Sequence, residues 1–139
     1  MQNQEFISQI QQRTGAASGE EAIEITRAVL ETLADHLAGN APAKLAAQLP
    51  EEIGALITEY KNDPEAEGEG FGVEEFVRRA AERAGTDEAT AKQQSVAVLA
   101  VLREAVSEGE FDKMRGTLPA EYDELFGTDS SKTSDAANG

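Results

Sequence analysis

The sequence predicts an all-α protein in which two homologous multi-helix repeats pack as a pseudo-twofold helical bundle. Three observations lead to this prediction. The chain is rich in alanine and has only five Phe, two Tyr and no Trp, a composition that favours helix over strand. Its apolar residues recur every three or four positions, which is the period of an amphipathic helix. Its second half repeats the first, and 139 residues are enough to bury one hydrophobic core.

The internal repeat is visible in paired motifs. The Glu-Phe pair at 5–6 recurs 70 positions later at 75–76, whereas the Leu-Pro pair at 49–50 recurs 69 positions later at 118–119. We place the one missing residue in the loop before the second long helix, because loops tolerate deletions. The pattern predicts four segments: 1–60 as helical repeat one, 61–70 as an acidic linker, 71–126 as helical repeat two and 127–139 as a disordered polar tail.

Each repeat begins with a short amphipathic helix. The first is predicted over 4–13, and Gly15 can take the left-handed conformation that ends a helix. Its counterpart is predicted over 73–84 and is followed by Gly85.

A long helix follows in each repeat, over 20–38 and 88–107. Ser18 with Glu21 forms a capping box for the first, and Thr86 is the expected N-cap of the second. Apolar residues at a spacing of four give the first a buried stripe of Ile25, Val29, Leu33 and Leu37. Additional valines widen the stripe of the second, so we expect it to be the more buried of the two.

A short helix and a Leu-Pro corner complete each repeat. The short helices are predicted over 42–48 and 110–117. Proline disfavours helix in the residue before it and fits the first position of a new helix, so Pro50 and Pro119 should each start a small apolar helix that returns to the core.

The segment 61–70, KNDPEAEGEG, is predicted to be a solvated, mobile linker. A calcium loop is the alternative. Counting from Asp63, Gly68 falls at position six and Glu74 at position twelve, as an EF-hand requires. Glutamates at positions three and five, together with Pro64 at position two, depart from that pattern, and we do not assign a metal site.

Charge and composition limit the function. The chain has 12 basic and 27 acidic residues, a formal net charge of −15, which disfavours nucleic acid and anionic membranes as partners. It has no cysteine, which excludes thiol catalysis and disulfides. No signal sequence or apolar run long enough to span a membrane is visible, so we expect a cytoplasmic protein.

Few side chains suggest a catalytic or ligand-binding role. His36, the one histidine, is expected on the surface near the end of its helix, where a cation suits the helix dipole. Glu31 and Asp35 are expected to form a solvated acidic face, with metal ligation as the alternative. The cluster of Arg78, Arg79 and Arg83 is expected to pair with glutamates of its own helix; a phosphate or the acids of the other repeat are the alternatives. We assign no catalytic, cofactor-binding or metal-binding residue.

The segments RAVLETLADHL and SVAVLAVLREAVSEGEFDKMRGTLPAEYDELF, with the repeated Leu-Pro-x-Glu, resemble the prokaryotic domain-of-unknown-function 2267 family over residues 5–126. The resemblance implies a small helical protein and carries no assigned activity or site residue.

The sequence therefore favours a non-catalytic helical protein that binds a protein partner as an adaptor or regulatory module. Two alternatives stay open: an acidic stress-type regulator of a basic partner, and an apolar-ligand carrier with a cavity between the repeats. A homodimer is also possible in principle, because two copies could bury apolar helix faces that the repeats do not bury against each other. An enzyme is not expected, because no catalytic constellation is visible.

Overall fold

The computed structural model describes residues 1–126; the predicted disordered tail, 127–139, lies outside the described residues. The described chain is all-helical, as predicted. The helices are α1 (Asn3–Thr14), α2 (Gly19–His36), α3 (Ala41–Gln48), α4 (Glu51–Thr58), α5 (Val73–Ala84), α6 (Glu88–Ala105), α7 (Glu108–Gly116) and α8 (Asp123–Phe126), with a 3-10 turn at Ala120–Tyr122.

Several helix ends lie where the local sequence predicts them, and one predicted cap is displaced by a residue. Gly15 and Gly85 end α1 and α5 with φ of 74° and 71°, the left-handed region that favours glycine. Ser18 caps α2 by accepting a hydrogen bond from the Glu21 backbone N–H at 3.1 Å. The predicted cap at Thr86 is wrong, because the side chain of the next residue, Asp87, caps α6 instead. An aspartate satisfies the same orphan N–H groups and adds a negative charge at the positive end of the helix.

The Leu-Pro corners turn the chain as predicted, but each proline lies one position earlier than expected. Pro50 is the N-cap of α4, with φ −52° and ψ 147°, and Glu51 is the first helical residue. Pro119 precedes the 3-10 turn, which continues into α8. Its extended ψ of 156° keeps proline outside the helix while the chain changes direction.

The two repeats share one core. Helix α1 packs on α2 and also on α6, while α5 packs on α6 and also on α2, so each repeat's first helix contacts the long helix of the other. One hydrophobic cluster of the described residues joins both halves; its largest fully buried members include Tyr122, Phe6, Phe76, Ile10, Leu30, Leu33, Leu99 and Leu102. The pseudo-twofold relation between the repeats and the segment boundaries stay predictions.

The expectation that the second long helix is the more deeply buried is wrong. The buried residues of α2 continue to its last turn and include Thr32, Asp35 and His36, whereas the last turn of α6 exposes Arg103 and Glu104. The difference arises because α5 and the linker cover the C-terminal end of α2.

The linker contains no helix, as its composition predicts. It nevertheless contacts the end of α2 and the residues that follow it. The Glu69 N–H donates to the Asp35 carbonyl at 2.8 Å, and the Gly39 N–H donates to the Ala66 carbonyl at 3.0 Å. A Cβ added at Gly68 would lie 2.1 Å from the His36 carbonyl oxygen, so only glycine allows this close approach. The linker therefore closes the C-terminal end of α2.

Candidate functional site

A cluster of charged side chains, partly exposed at its edge, lies where α2, α5 and the linker meet. Asp35, at 5 % exposure, is its centre. Its carboxylate accepts from the Tyr60 hydroxyl at 2.6 Å and from Arg79 at 2.9 Å, and it lies 3.0 Å from the guanidinium of Arg83. The predicted solvated acidic face at Asp35 is therefore wrong, because α5 supplies two cations that cover this carboxylate. The neighbouring Glu31 is partly buried, and burial raises its pKa.

The arginines of α5 divide into two kinds. Arg78 is exposed and pairs with Glu75 and Glu82 of its own helix, as expected. Arg79 instead bridges three elements, contacting Asp35 of α2, Glu69 of the linker and Glu75 of α5 at 2.8 to 2.9 Å.

Arg83 donates to Thr32 Oγ1 at 2.8 Å and lies 3.9 Å from Glu31. Arg79 therefore shows both the expected ion pair within its own helix and the alternative, a contact with an acid of the other repeat, whereas Arg83 shows the alternative. Hydrogen bonds from Arg78 and Arg79 lower the pKa of Glu75 to about 2.

His36 is buried, not on the surface as predicted. Its Nε2 lies 2.6 Å from the Tyr122 hydroxyl, and its ring lies 3.8 Å, centroid to centroid, from the ring of Phe71. The Tyr122 hydroxyl also lies 2.9 Å from the Phe71 carbonyl and 3.1 Å from the Gly72 carbonyl. Burial, followed by the nearby charge of Arg79, lowers the pKa of His36, so the neutral imidazole is favoured.

The contacts of this cluster join α2, α5 and the linker. Each carboxylate, guanidinium, hydroxyl and ring described above already has a partner, and Arg79 is additionally stacked over Phe71 at 4.0 Å. Burial raises the pKa of Tyr122, which keeps its hydroxyl protonated. We therefore interpret the cluster as a clamp between α2, α5 and the linker.

The acidic residues of the alternative calcium loop, which was not assigned, make other contacts. Asp63 accepts from the Glu65 N–H at 2.9 Å, and Glu69 pairs with Arg79. Glu74 lines a different groove on α5. Among residues 1–126, no group of three or more acidic or histidine side chains is arranged to hold a metal ion.

The open concave surfaces lie away from the clamp. We call one the repeat-one groove: it lies among α1, α2 and α4, has a volume of about 270 Å³ and is lined by Ile7, Ile23, Glu52, Ile53, Ala55, Leu56 and Glu59. Its counterpart in repeat two lies among α5, α6 and α8 and is lined by Val73, Glu74, Val77, Glu88, Ala89, Lys92, Glu121 and Glu124. The first is mainly apolar and the second mainly charged.

The two grooves differ at equivalent positions. Ile23 and Lys92 are separated by the 69-residue offset of the repeats, as are Ala55 and Glu124. Lys92 and Glu124 form an ion pair across the repeat-two groove. Repeat one replaces that ion pair by an isoleucine and an alanine and so leaves an apolar surface. The sequence reasoning missed this difference, although comparing the aligned repeats residue by residue would have found it.

None of the described helices is long and apolar enough to cross a membrane. A comparison with curated proteins finds no match. The family model described as an uncharacterized conserved protein, DUF2267, matches residues 3–125. This match covers nearly all of the described helices, and the chain therefore belongs to the DUF2267 family.

Proposed function

We propose that this protein is a non-catalytic, cytoplasmic binding module that docks a cationic amphipathic segment of a partner protein in the repeat-one groove. The observation that carries the proposal is the replacement of the Lys92–Glu124 ion pair by Ile23 and Ala55. Repeat two folds with charged residues at these positions, so the fold does not itself require apolar ones. A partner that buries Ile23 and Ala55 explains their presence.

Charge indicates the kind of partner. Glu52 and Glu59 line the edge of the groove and are exposed. The whole chain has a net charge of −15, which attracts cations from a distance and speeds their association. A helix with an apolar face and flanking lysines or arginines would match both the floor and the edge of the groove. This proposal joins the adaptor function with contact to a basic partner.

The small groove indicates a weak and transient complex. Apolar interaction patches commonly cover several hundred Å², yet Met1 and Tyr60 are the only large hydrophobic side chains among the described residues that are strongly exposed. Ile7 and Ile23 are half-buried. Complexes with small contact areas are common among transient signalling encounters. A cytoplasmic location is likewise part of this proposal, and a chain without cysteine is compatible with a reducing compartment.

The experiment exchanges the two grooves without changing net charge. The double variant Ile23→Lys with Ala55→Glu copies the ion pair of repeat two into repeat one. Titration calorimetry with a synthetic amphipathic helix of leucine and lysine should show binding to the unmodified protein and about tenfold weaker binding to this variant. The reciprocal variant, Lys92→Ile with Glu124→Ala, keeps the repeat-one groove intact and should retain binding there, and by the same argument it should gain a second site in repeat two.

Equal binding of the peptide to both proteins would show only general attraction to an acidic surface and would overturn the proposal. Circular dichroism and thermal melting verify that both double variants fold. A photo-crosslinking residue at position 23 then identifies the natural segment in a host lysate, with position 92 as the control site. A crosslinked segment that is acidic or uniformly polar would contradict the predicted chemistry of the partner.

A further inference from the structure

A second groove lies between the short helices α3 and α7, one from each repeat, and we call it the α3–α7 groove. Its volume is about 390 Å³, within the range of small-molecule pockets. Its lining combines buried apolar side chains with a few polar groups: Leu37, Ala38, Asn40, Ala41, Lys44, Leu45, Glu110, Lys113, Met114 and Thr117. Leu37, Leu45 and Met114 are buried in the wall, whereas Lys44 and Lys113 are exposed at its edge.

Lys44 and Lys113 differ from the other lysines of residues 1–126, because those lysines have hydrogen-bonding or ion-pair partners. Most of the lysines and arginines in residues 1–126 form an ion pair with an acidic side chain, and Lys61 is bound to backbone carbonyls. Lys44 and Lys113 make neither an ion pair nor a hydrogen bond within these residues, although the chain has 27 acidic residues. Both line the same groove. Two cations left without a partner beside an apolar wall are complementary to a ligand with an anionic head and an apolar body.

The groove is assembled by both repeats. Lys44 and Lys113 are separated by the 69-residue offset, and so are Leu45 and Met114. Repeat one therefore supplies one cation together with Leu37 and Leu45, repeat two supplies one cation together with Met114, and neither supplies a complete site. Since α3 and α7 contact one another, the two contributions form one surface.

We propose that the α3–α7 groove binds an amphiphilic carboxylate, such as a fatty acid, with its carboxylate at Lys44 and Lys113 and its hydrocarbon chain against Leu37, Leu45 and Met114. Lysine ammonium groups form charge-assisted hydrogen bonds with carboxylates, and an apolar wall favours the chain by removing it from water. Glu110 lines the same groove and opposes an anion, so the site has one element that weakens binding. This inference concerns a different surface from the repeat-one groove and does not depend on it.

The test uses three probes with the same hydrocarbon chain, each below its critical micelle concentration. Calorimetric titration of the full chain should show saturable binding of decanoate, weaker binding of the neutral decanol and no binding of decyltrimethylammonium at this groove. Lys44→Gln with Lys113→Gln should weaken decanoate binding about tenfold while leaving decanol binding unchanged, since two exposed charge contacts are removed and the apolar wall is retained. Glu110→Gln should strengthen decanoate binding.

Lys92→Gln is the matched control, because it removes one lysine charge outside the groove and should leave decanoate binding unchanged. All substituted side chains in these variants are at least partly exposed, so the variants should fold, and thermal melting verifies it. The proposal is overturned if decanoate does not saturate, if the double variant binds it as the unmodified protein does, or if Lys92→Gln has the same effect. Chemical-shift changes that map to α3 and α7 would support the site, whereas changes confined to the repeat-one groove would contradict it.

Discussion

The imidazole of His36 and the hydroxyl of Tyr122 lie 2.6 Å apart, although 86 residues separate them in the chain. His36 ends the long helix of repeat one, and Tyr122 lies in the 3-10 turn of repeat two. The same hydroxyl reaches the backbone of Phe71 and Gly72. One tyrosine therefore connects repeat one, the start of α5 and the Leu-Pro corner of repeat two.

Replacing Tyr122 by phenylalanine tests this connection. Tyr122→Phe keeps the ring that packs edge-on against Phe76 but removes the hydroxyl, leaving the His36 nitrogen without that partner. The free energy of unfolding should fall by about 1–3 kcal/mol, the usual cost of an unsatisfied buried polar group. Urea unfolding followed by circular dichroism measures it. If Tyr122→Phe unfolds at the same urea concentration as the unmodified protein, the hydroxyl contributes nothing to stability.

His36 should make stability depend on pH. Its pKa in the folded protein is lowered from 6.5, chiefly by burial and then by Arg79, while Asp35 and Glu69 act in the opposite direction. The unfolded chain therefore binds a proton more readily than the folded one. The stability that neutral His36 contributes is fully present above the pKa of the unfolded state. It is lost as the pH falls through the lower pKa of the folded state.

The measurement compares urea unfolding of the unmodified protein and His36→Gln from about pH 8 to about pH 5, where an ordinary histidine titrates. The unmodified protein should lose more stability on acidification than the variant, whatever the stability of the variant at neutral pH. The raised pKa of Glu31 has the opposite pH dependence and is common to both proteins. Parallel pH profiles would rule out a contribution from His36.

Asp35 should contribute more to the free energy of unfolding than an exposed ion pair does. Asp35→Asn removes the charge that Arg79 and Arg83 share, and both guanidiniums stay partly buried. We expect a loss of about 2–3 kcal/mol, below the value for full burial because both arginines keep some solvent contact. Glu82→Gln, which removes an exposed partner of Arg78, is the control and should change stability by less than about 0.5 kcal/mol. Equal effects of the two substitutions would contradict the clamp.

The close approach of the linker to α2 can be tested at one glycine. Gly68→Ala places a methyl group against the His36 carbonyl, so the linker must move and the hydrogen bond from Glu69 to Asp35 should weaken. We expect a loss of about 1–3 kcal/mol and faster hydrogen exchange at the Glu69 amide. Gly70→Ala is the matched control, because a Cβ there meets no atom within 4 Å. Unchanged exchange in Gly68→Ala would show that the linker is held elsewhere.

Leu102→Asp should prevent folding. Leu102 has no exposed surface and lies in the cluster that joins both repeats. Burying an unpaired carboxylate costs several kcal/mol, comparable with the total stability of about 5–15 kcal/mol of a typical domain. Gln93→Asp, at an exposed position of the same helix, should melt almost as the unmodified protein does. A cooperative melt of Leu102→Asp near the original temperature would mean that Leu102 is not part of the core.

Much of the fold was predictable because it depends on neighbours in sequence. Helix periodicity, the left-handed glycines after α1 and α5, and the cap at Ser18 follow from local backbone chemistry. The offset between repeats likewise needs no tertiary information. The N-cap of α6 was misplaced by one residue because Thr86 and Asp87 are both good caps, and local preference alone does not choose between them.

The positions of the charged residues were not predictable in the same way. A charge at the end of a helix is usually solvated. That expectation fails for Asp35 and His36 because Tyr60, the linker and α5, which are 25 or more residues further along the chain, pack against them. Arg79 and Arg83 lie one turn apart on α5. Their partners on α2, Asp35 and Glu31, come within reach only because α5 packs on α2.

Composition and periodicity act locally, so an acidic, cysteine-free, all-helical chain follows from the order of the residues, and two related halves are predicted from it. The burial of Asp35 and His36 and the position of Lys44 and Lys113 in one groove follow from the packing of the helices. Burial and pairing depend on distances through space. The packing of one repeat on the other creates those distances.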